Sequence, residues 1–218
     1  MFVKLWMKTT LLTISPGQSI REAEELMSTN KIRRLPVVKG ERLVGIISRD
    51  DLFQAMPSVI DPAAGSDQWD SASQAEVATL MSRNPIVAAP MDILEDIAAT
   101  MKRNKLGGLP VCEGDTLVGI ITESDIFQAF STLLGAERPD DVRIELIIDN
   151  DSETLYEVID LCCDHDLRLN SLTIFRDYSP DHQLITLRVK GEEVEPFIDD
   201  IWKSGSQVLR ILHNGQEK

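Results

Sequence analysis

Gly45-Ile46-Ile47-Ser48-Arg49-Asp50-Asp51 recurs 74 residues later as Gly119-Ile120-Ile121-Thr122-Glu123-Ser124-Asp125, and this pair decides the fold. In each copy an aliphatic strand ends at a hydroxyl side chain, and a carboxylate follows three positions on. Outward from it the same offset keeps matching without a gap. Leu35-Pro36-Val37 falls on Leu109-Pro110-Val111, Gly40 on Gly114, Phe53-Gln54-Ala55 on Phe127-Gln128-Ala129, and Met7 on Met81. From Met7 to Met56, 18 of 50 positions equal their counterparts, concentrated at Gly, Pro and apolar sites. A repeat of that kind means two supersecondary units of one design.

Each unit reads β-α-β-β-α. The first has a short apolar strand near Leu11–Ile14, then Ser19-Ile20-Arg21-Glu22, a capping box that opens a helix. Ile20, Ala23, Leu26 and Met27 share one face of that helix. Leu35–Lys39 and Arg42–Ile47 are strands joined at Gly40-Glu41, a hairpin signal, and a second helix starts at Ser48 and ends before Pro57. In the second unit Asp92 is the expected cap of a helix with Ile93, Leu94, Ile97 and Met101 inward. Its hairpin pairs Leu109–Cys112 with Thr116–Ile121, and Thr122 opens a helix reaching about Leu134. Residues 1–57 and 76–135 are thus two repeats, with residues 58–75, rich in Ser, Ala, Asp and Pro, as an aperiodic linker holding at most one helical turn before Val77.

The pattern changes after a short linker at 136–140. Residues 141–218 read as strand, helix, two strands, helix, strand, which is the βαββαβ plan of ferredoxin-like domains. The overall class is α/β with an α+β C-terminal domain.

The 218 residues carry a net charge of −14, of which −10 lies in residues 136–218. Nucleic-acid binders and proteins docked on anionic membranes need the opposite sign. No apolar run approaches the length of a membrane helix, and Met1–Lys8 lacks the apolar stretch and cleavage site of a signal peptide. Cys112, Cys162 and Cys163 form no disulfide framework, so the expectation is reduced thiols in a cytoplasmic protein.

The repeated corner carries the chemistry. A helix N-terminus offers unpaired amides and partial positive charge to a phosphate. The hydroxyls of Ser48 and Thr122 suit ribose or phosphate, and Asp51 and Asp125 are acceptors for two vicinal hydroxyls. Gly45 and Gly119 allow close approach to the backbone. The same spacing also describes an ordinary helix cap that needs no ligand. Its occurrence twice, each time after Gly-Ile-Ile, favours the ligand reading.

On these residues both units resemble CBS domains, and residues 1–135 resemble a tandem CBS pair, or Bateman module. The resemblance implies pseudo-twofold symmetry and two clefts that take adenosine compounds: AMP, ADP, ATP or S-adenosylmethionine. It places Asp51 and Asp125 on ribose, with Ser48 and Thr122 before them. It also implies a flat homodimer, and a basic residue before the Leu-Pro-Val strand reaching toward phosphate. Arg33 and Arg34 occupy that place in the first unit, where the second has Gly107-Gly108, so the clefts are expected to differ. Residues 141–214 resemble an ACT domain by element order. The ligand turn of that family normally carries Pro-Gly, whereas this chain has Asn150-Asp151-Ser152-Glu153-Thr154-Leu155, which favours dimerisation over amino-acid binding. The whole order resembles acetoin-utilisation regulators of the AcuB type.

No metal is expected, because Cys162-Cys163-Asp164-His165 has no second cluster to complete a ligand set. No catalytic residue is expected either, since no His stands at motif spacing from a nucleophile. The expectation is a regulator with an adenosine-type ligand, no required cofactor and a separate effector protein. The alternative is an interaction module whose clefts stay empty.

Overall fold

The computed structural model describes residues 1–55, 66–150, 153–204, 206–213 and 216–217. They divide into two compact units, residues 1–127 and 128–218.

The N-terminal unit opens with a 3-10 turn at Val3–Leu5 and continues to α1 (Ile20–Thr29). Ser19 Oγ accepts the Glu22 amide at 3.2 Å, and the Glu22 carboxylate accepts the Ser19 amide at 2.7 Å. This reciprocal cap satisfies two amides that the first turn would otherwise strand. The hairpin of β1 (Arg34–Lys39) and β2 (Arg42–Ser48) follows, turning at Gly40, whose φ of +68° suits a residue without Cβ. Next come α2 (Arg49–Ala55) and α3 (Ser66–Gln74). The second copy contributes a 3-10 turn at Val77–Thr79, β3 (Ser82–Arg83), α4 (Leu94–Asn104), β4 (Gly108–Glu113), β5 (Thr116–Thr122) and α5 (Glu123–Leu133). One antiparallel sheet runs β1-β2-β5-β4, with β3 also beside β2.

The duplication extends to packing. Leu35 and Leu109, Val37 and Val111, Ile47 and Ile121, Met27 and Met101, and Val3 and Val77 are all at most 2% exposed. Both hairpins also carry a bulge at the same place, Val37/Val38 and Val111/Cys112.

Three expectations are corrected here. Leu11–Ile14 is not a strand: among these residues only Ile14 bridges, to Val37, because the segment meets a sheet edge at one point. Asp92 does not cap α4, since its Oδ2 accepts the Ala89 amide at 2.8 Å and Ile93 takes the cap position, exposed and bridging Phe2. The expected linker contains the nine-residue helix α3, held to α1 by Arg21, whose Nη2 donates to Asp70 Oδ1 at 3.2 Å and to Ser73 Oγ at 2.9 Å. Those long-range bonds have no local signature. The part of the linker before Ser66 lies outside the described residues.

The C-terminal unit contains β6 (Val142–Asp149), α6 (Glu153–Asp164), β7 (Arg168–Phe175), a 3-10 turn at Arg176–Tyr178, β8 (His182–Lys190), α7 (Val194–Lys203), β9 (Gln207–His213) and β10 (Gln216–Glu217). Its sheet is antiparallel in the order β10-β9-β6-β8-β7, so the βαββαβ plan is observed directly. Alternate residues Ile144, Leu146 and Ile148 of β6 and Ile185, Leu187 and Val189 of β8 bury one sheet face in a core with Val158, Cys162, Phe197 and Ile201. Each such aliphatic contributes roughly 1.5–3 kcal/mol relative to exposure. Burial pushes the Cys162 thiol up to about 11, a neutral core group, while Cys163 is exposed. His165 Nε2, just past the end of α6, lies 3.0 Å from Asp200 Oδ2 of α7. Of Ser152-Glu153, which stand where the ACT-like turn normally has Pro-Gly, Glu153 opens α6 and Ser152 lies outside the described residues, as does Asp151. Among the described residues no helix is long and apolar enough to cross a membrane.

Candidate functional site

Both corners are built from the hydroxyl-x-x-Asp spacing, and both are closed caps. At the first, Asp51 Oδ2 accepts from the Ser48 amide and the Ser48 hydroxyl, each at 2.7 Å, and Ser48 Oγ accepts the Asp51 amide at 3.2 Å. At the second, Asp125 Oδ2 accepts from the Thr122 amide at 2.9 Å and hydroxyl at 2.5 Å, and Thr122 Oγ1 accepts the Asp125 amide at 3.4 Å. The next amide is also used: Arg49 donates to the Arg33 carbonyl at 2.9 Å, and Glu123 to the Gly107 carbonyl at 3.2 Å. The expected phosphate seat on the helix amides is therefore largely filled by the chain itself. Charge for an anion has to come from side chains.

The two glycines serve a different neighbour from the expected one. A Cβ on Gly45 would stand 2.7 Å from Met81 Sδ and 2.9 Å from the Ser82 carbonyl oxygen. On Gly119 it would meet Met7 Sδ at 2.7 Å and the Lys8 carbonyl oxygen at 3.2 Å. The close approach is made by the segment that opens the opposite copy. These opening segments are exchanged: Val3 and Lys4 donate to the Asp92 and Pro90 carbonyls, Val77 and Ala78 to those of Gln18 and Pro16. Lys8 bridges Ile120, as Ser82 bridges Ile46. Gly45→Ala is expected to cost about 1–3 kcal/mol by overpacking, and Gly119→Ala less, because a thioether yields more readily than a backbone oxygen. Thermal unfolding followed by circular dichroism checks the order; an equal drop would contradict it.

The exchange makes the clefts composite. A cavity of about 400 Å³ is lined by Ile120, Thr122, Glu123 and Ser124 of the second copy's corner, by Lys8 and Thr10 to Leu12 of the first copy's opening segment, and by Lys31 to Arg34. The basic turn of the first copy thus faces the corner of the second. Arg33 and Arg34 line the cavity at Thr122, although Arg34 is the cross-strand partner of Ser48. Gly107 makes room for it: a Cβ there would lie 2.2 Å from an Arg34 guanidinium nitrogen. Asp125 is 8% exposed, and its Oδ1 lies 3.3 Å from Lys8 Nζ.

By the 74-residue offset, the counterparts of Lys8, Lys31, Arg33 and Arg34 at the Ser48 corner are Ser82, Lys105, Gly107 and Gly108. Of the four cations that line the Thr122 cavity, only Lys31 has a cationic counterpart, Lys105, while Glu123 is matched by Arg49 and Thr9 by Arg83. Of the predicted residues, the structure places Thr122, Arg33 and Arg34 on one cavity, with Asp125 held to Thr122 at its margin. Ser48 and Asp51 stand together at the other corner. Sequence reasoning missed Lys8, which carries no repeat signal: its neighbour Met7 matches Met81, but Lys8 falls on Ser82 and Thr9 on Arg83. Arg49, at the start of α2, lies over the Phe53 ring at 5.3 Å.

The CBS domain model matches residues 3–58 and 77–132. A crystal structure assigned as an acetoin utilization protein (AcuB) from Vibrio cholerae is similar, with TM-score 0.53 and 29% identity over 63% of this chain and 95% of that one. CBSX2 of Arabidopsis thaliana, solved in complex with AMP, gives 0.52 and 27% over 61% of this chain and 97% of its own. The CBS pair of protein MJ0100, solved with 5'-methylthioadenosine and S-adenosyl-L-methionine, gives 0.51 and 26% over 61% and 97%. Protein MJ1225 of Methanocaldococcus jannaschii is 34% identical over 125 residues, 56% of this chain; the chain spans only 44% of that relative's length.

Proposed function

Because the chain belongs to the CBS-domain family and carries the domain twice, we propose that it is a non-catalytic regulatory protein whose paired domains bind an adenosine-containing ligand. The carrying observation is the cationic cavity at Thr122. Its volume of about 400 Å³ falls within the roughly 300–1,000 Å³ of small-molecule clefts. Complexes of similar pairs with AMP and with S-adenosyl-L-methionine support the ligand class. Asp125 and Asp51 hold ribose in this reading, Thr122 and Ser48 orient them, Gly119 and Gly45 hold the exchanged segments that wall the clefts, and Arg33 and Arg34 meet phosphate.

The C-terminal βαββαβ unit acts as an ACT-like module for dimerisation or relay, which its element order supports. A homodimer is supported by Phe53 and Phe127, equivalent in the repeat and 60% and 70% exposed, since a symmetric apolar pair suits a second copy. Ligand binding would bias two arrangements of that dimer, read by an effector protein in the cytosol, and only differential affinity for the two makes a switch. The similarity to AcuB supports a place in acetoin utilisation.

A second reading, an assembly module with empty clefts, is favoured by the closed caps and the Lys8–Asp125 pair. Calorimetry with AMP, ATP and S-adenosylmethionine separates the two. Saturable heat with at least one is the expected result. Silence with all three, at tens of micromolar protein, together with no small molecule found by mass spectrometry after gentle purification, would leave the assembly reading standing.

A further inference from the structure

At the Thr122 corner both oxygens of Asp125 have partners within the chain. Oδ2 is committed to the cap, at 2.9 Å and 2.5 Å from the Thr122 donors. Oδ1 faces Lys8 Nζ at 3.3 Å. Lys8 cannot withdraw as a residue, because its amide donates to the Ile120 carbonyl at 2.9 Å and its carbonyl accepts the Ile120 amide at 3.0 Å. Only its side chain is free to move, and that side chain is 63% exposed.

A ribose hydroxyl that approaches Asp125 therefore competes with the Lys8 ammonium for Oδ1. A free nucleoside offers that ammonium nothing in return. A nucleotide brings a phosphate into the cavity that Lys8 lines with Lys31, Arg33 and Arg34, and a charge-assisted bond to phosphate replaces the one given up. Glu123 also lines this cavity and opposes an anion, so the loss of any one cation is felt. The Ser48 corner has Ser82 at the place of Lys8 and no such exchange.

We propose that Lys8 makes the Thr122 cleft selective for phosphorylated nucleosides over free nucleosides, by passing from Asp125 to the ligand's phosphate as the ribose takes its place. This deepens the adenosine-ligand reading and depends on it.

The test is calorimetric titration of the full chain with ADP and with adenosine, in the wild type and in Lys8→Met, which keeps the apolar stem and removes the charge. ADP affinity is expected to fall about tenfold, as for the loss of one charge-assisted contact. Adenosine affinity is expected to hold or rise, because its competitor for Oδ1 is gone. The melting temperature should stay close to wild type, since the lysine end of the pair is solvent-facing and Asp125 keeps its bonds to Thr122. A parallel fall for both ligands would make Lys8 merely structural and overturn the inference, as would unchanged affinities for both. A wild type that binds neither compound overturns this inference, and the adenosine reading falls with it only if AMP, ATP and S-adenosylmethionine are silent too. Tight ADP binding whose preference over adenosine ignores Lys8 overturns the inference alone.

Discussion

Phe197→Ala is expected to remove about 3–5 kcal/mol from the C-terminal unit, the cost of emptying a large aromatic site in a core that collapses only in part. Phe197 is fully buried among the β6 and β8 aliphatics and Val158, and meets the His165 ring edge-on at 6.0 Å between centroids. That loss is a large part of a domain's whole stability. Calorimetric unfolding should show an early transition, and limited proteolysis should cut within residues 128–218 first. The N-terminal unit holds a separate core around Leu35, Val37 and Ile47, so nucleotide binding should persist in the damaged protein. Loss of that binding in parallel would mean that the two units do not stand independently.

The second large effect is expected at Asp125, and two substitutions divide its roles. In Asp125→Asn the amide oxygen still accepts from the Thr122 amide and hydroxyl, so the cap survives and the melting temperature changes little. The charge that faces Lys8 and the strong acceptor for ribose are both lost. A hydrogen bond to a charged group is worth about 1.5–3 kcal/mol, so affinity should fall about ten- to a hundredfold. Asp125→Ala removes the cap as well and should cost a further 0.5–2 kcal/mol or so of stability. Binding by Asp125→Asn at wild-type strength would show that the carboxylate is an end-cap and nothing more. Circular dichroism melts and calorimetry on the same preparations give both readouts.

Much of this was legible in the order of residues. The Ser19-x-x-Glu22 box, the Gly40 and Gly114 turns, and the alternation of β6 and β8 are local signals, because a cap, a positive φ and a two-residue period are satisfied within a few positions. The repeat added the core, since buried residues recur at one offset. Asp92 misled because an acid before an apolar run has the look of a cap, while the Ala89 amide was nearer to hand. The linker misled because α3 is held by Arg21 from another helix, more than forty residues earlier in the chain.

The chain's own order determined that there are two like units with hydroxyl-to-carboxylate corners, followed by a βαββαβ unit, because periodicity and capping depend only on near neighbours. Only the folded chain decided which corner receives the cations. The opening segments of the two copies change places through backbone pairing, Lys8 with Ile120 and Ser82 with Ile46. Such hydrogen bonds join groups that every residue possesses and so leave no mark on composition. Through that exchange Lys8 comes to stand before Thr122 and Asp125, and it meets there Arg33 and Arg34, which line the same cavity although their backbones adjoin the Ser48 corner.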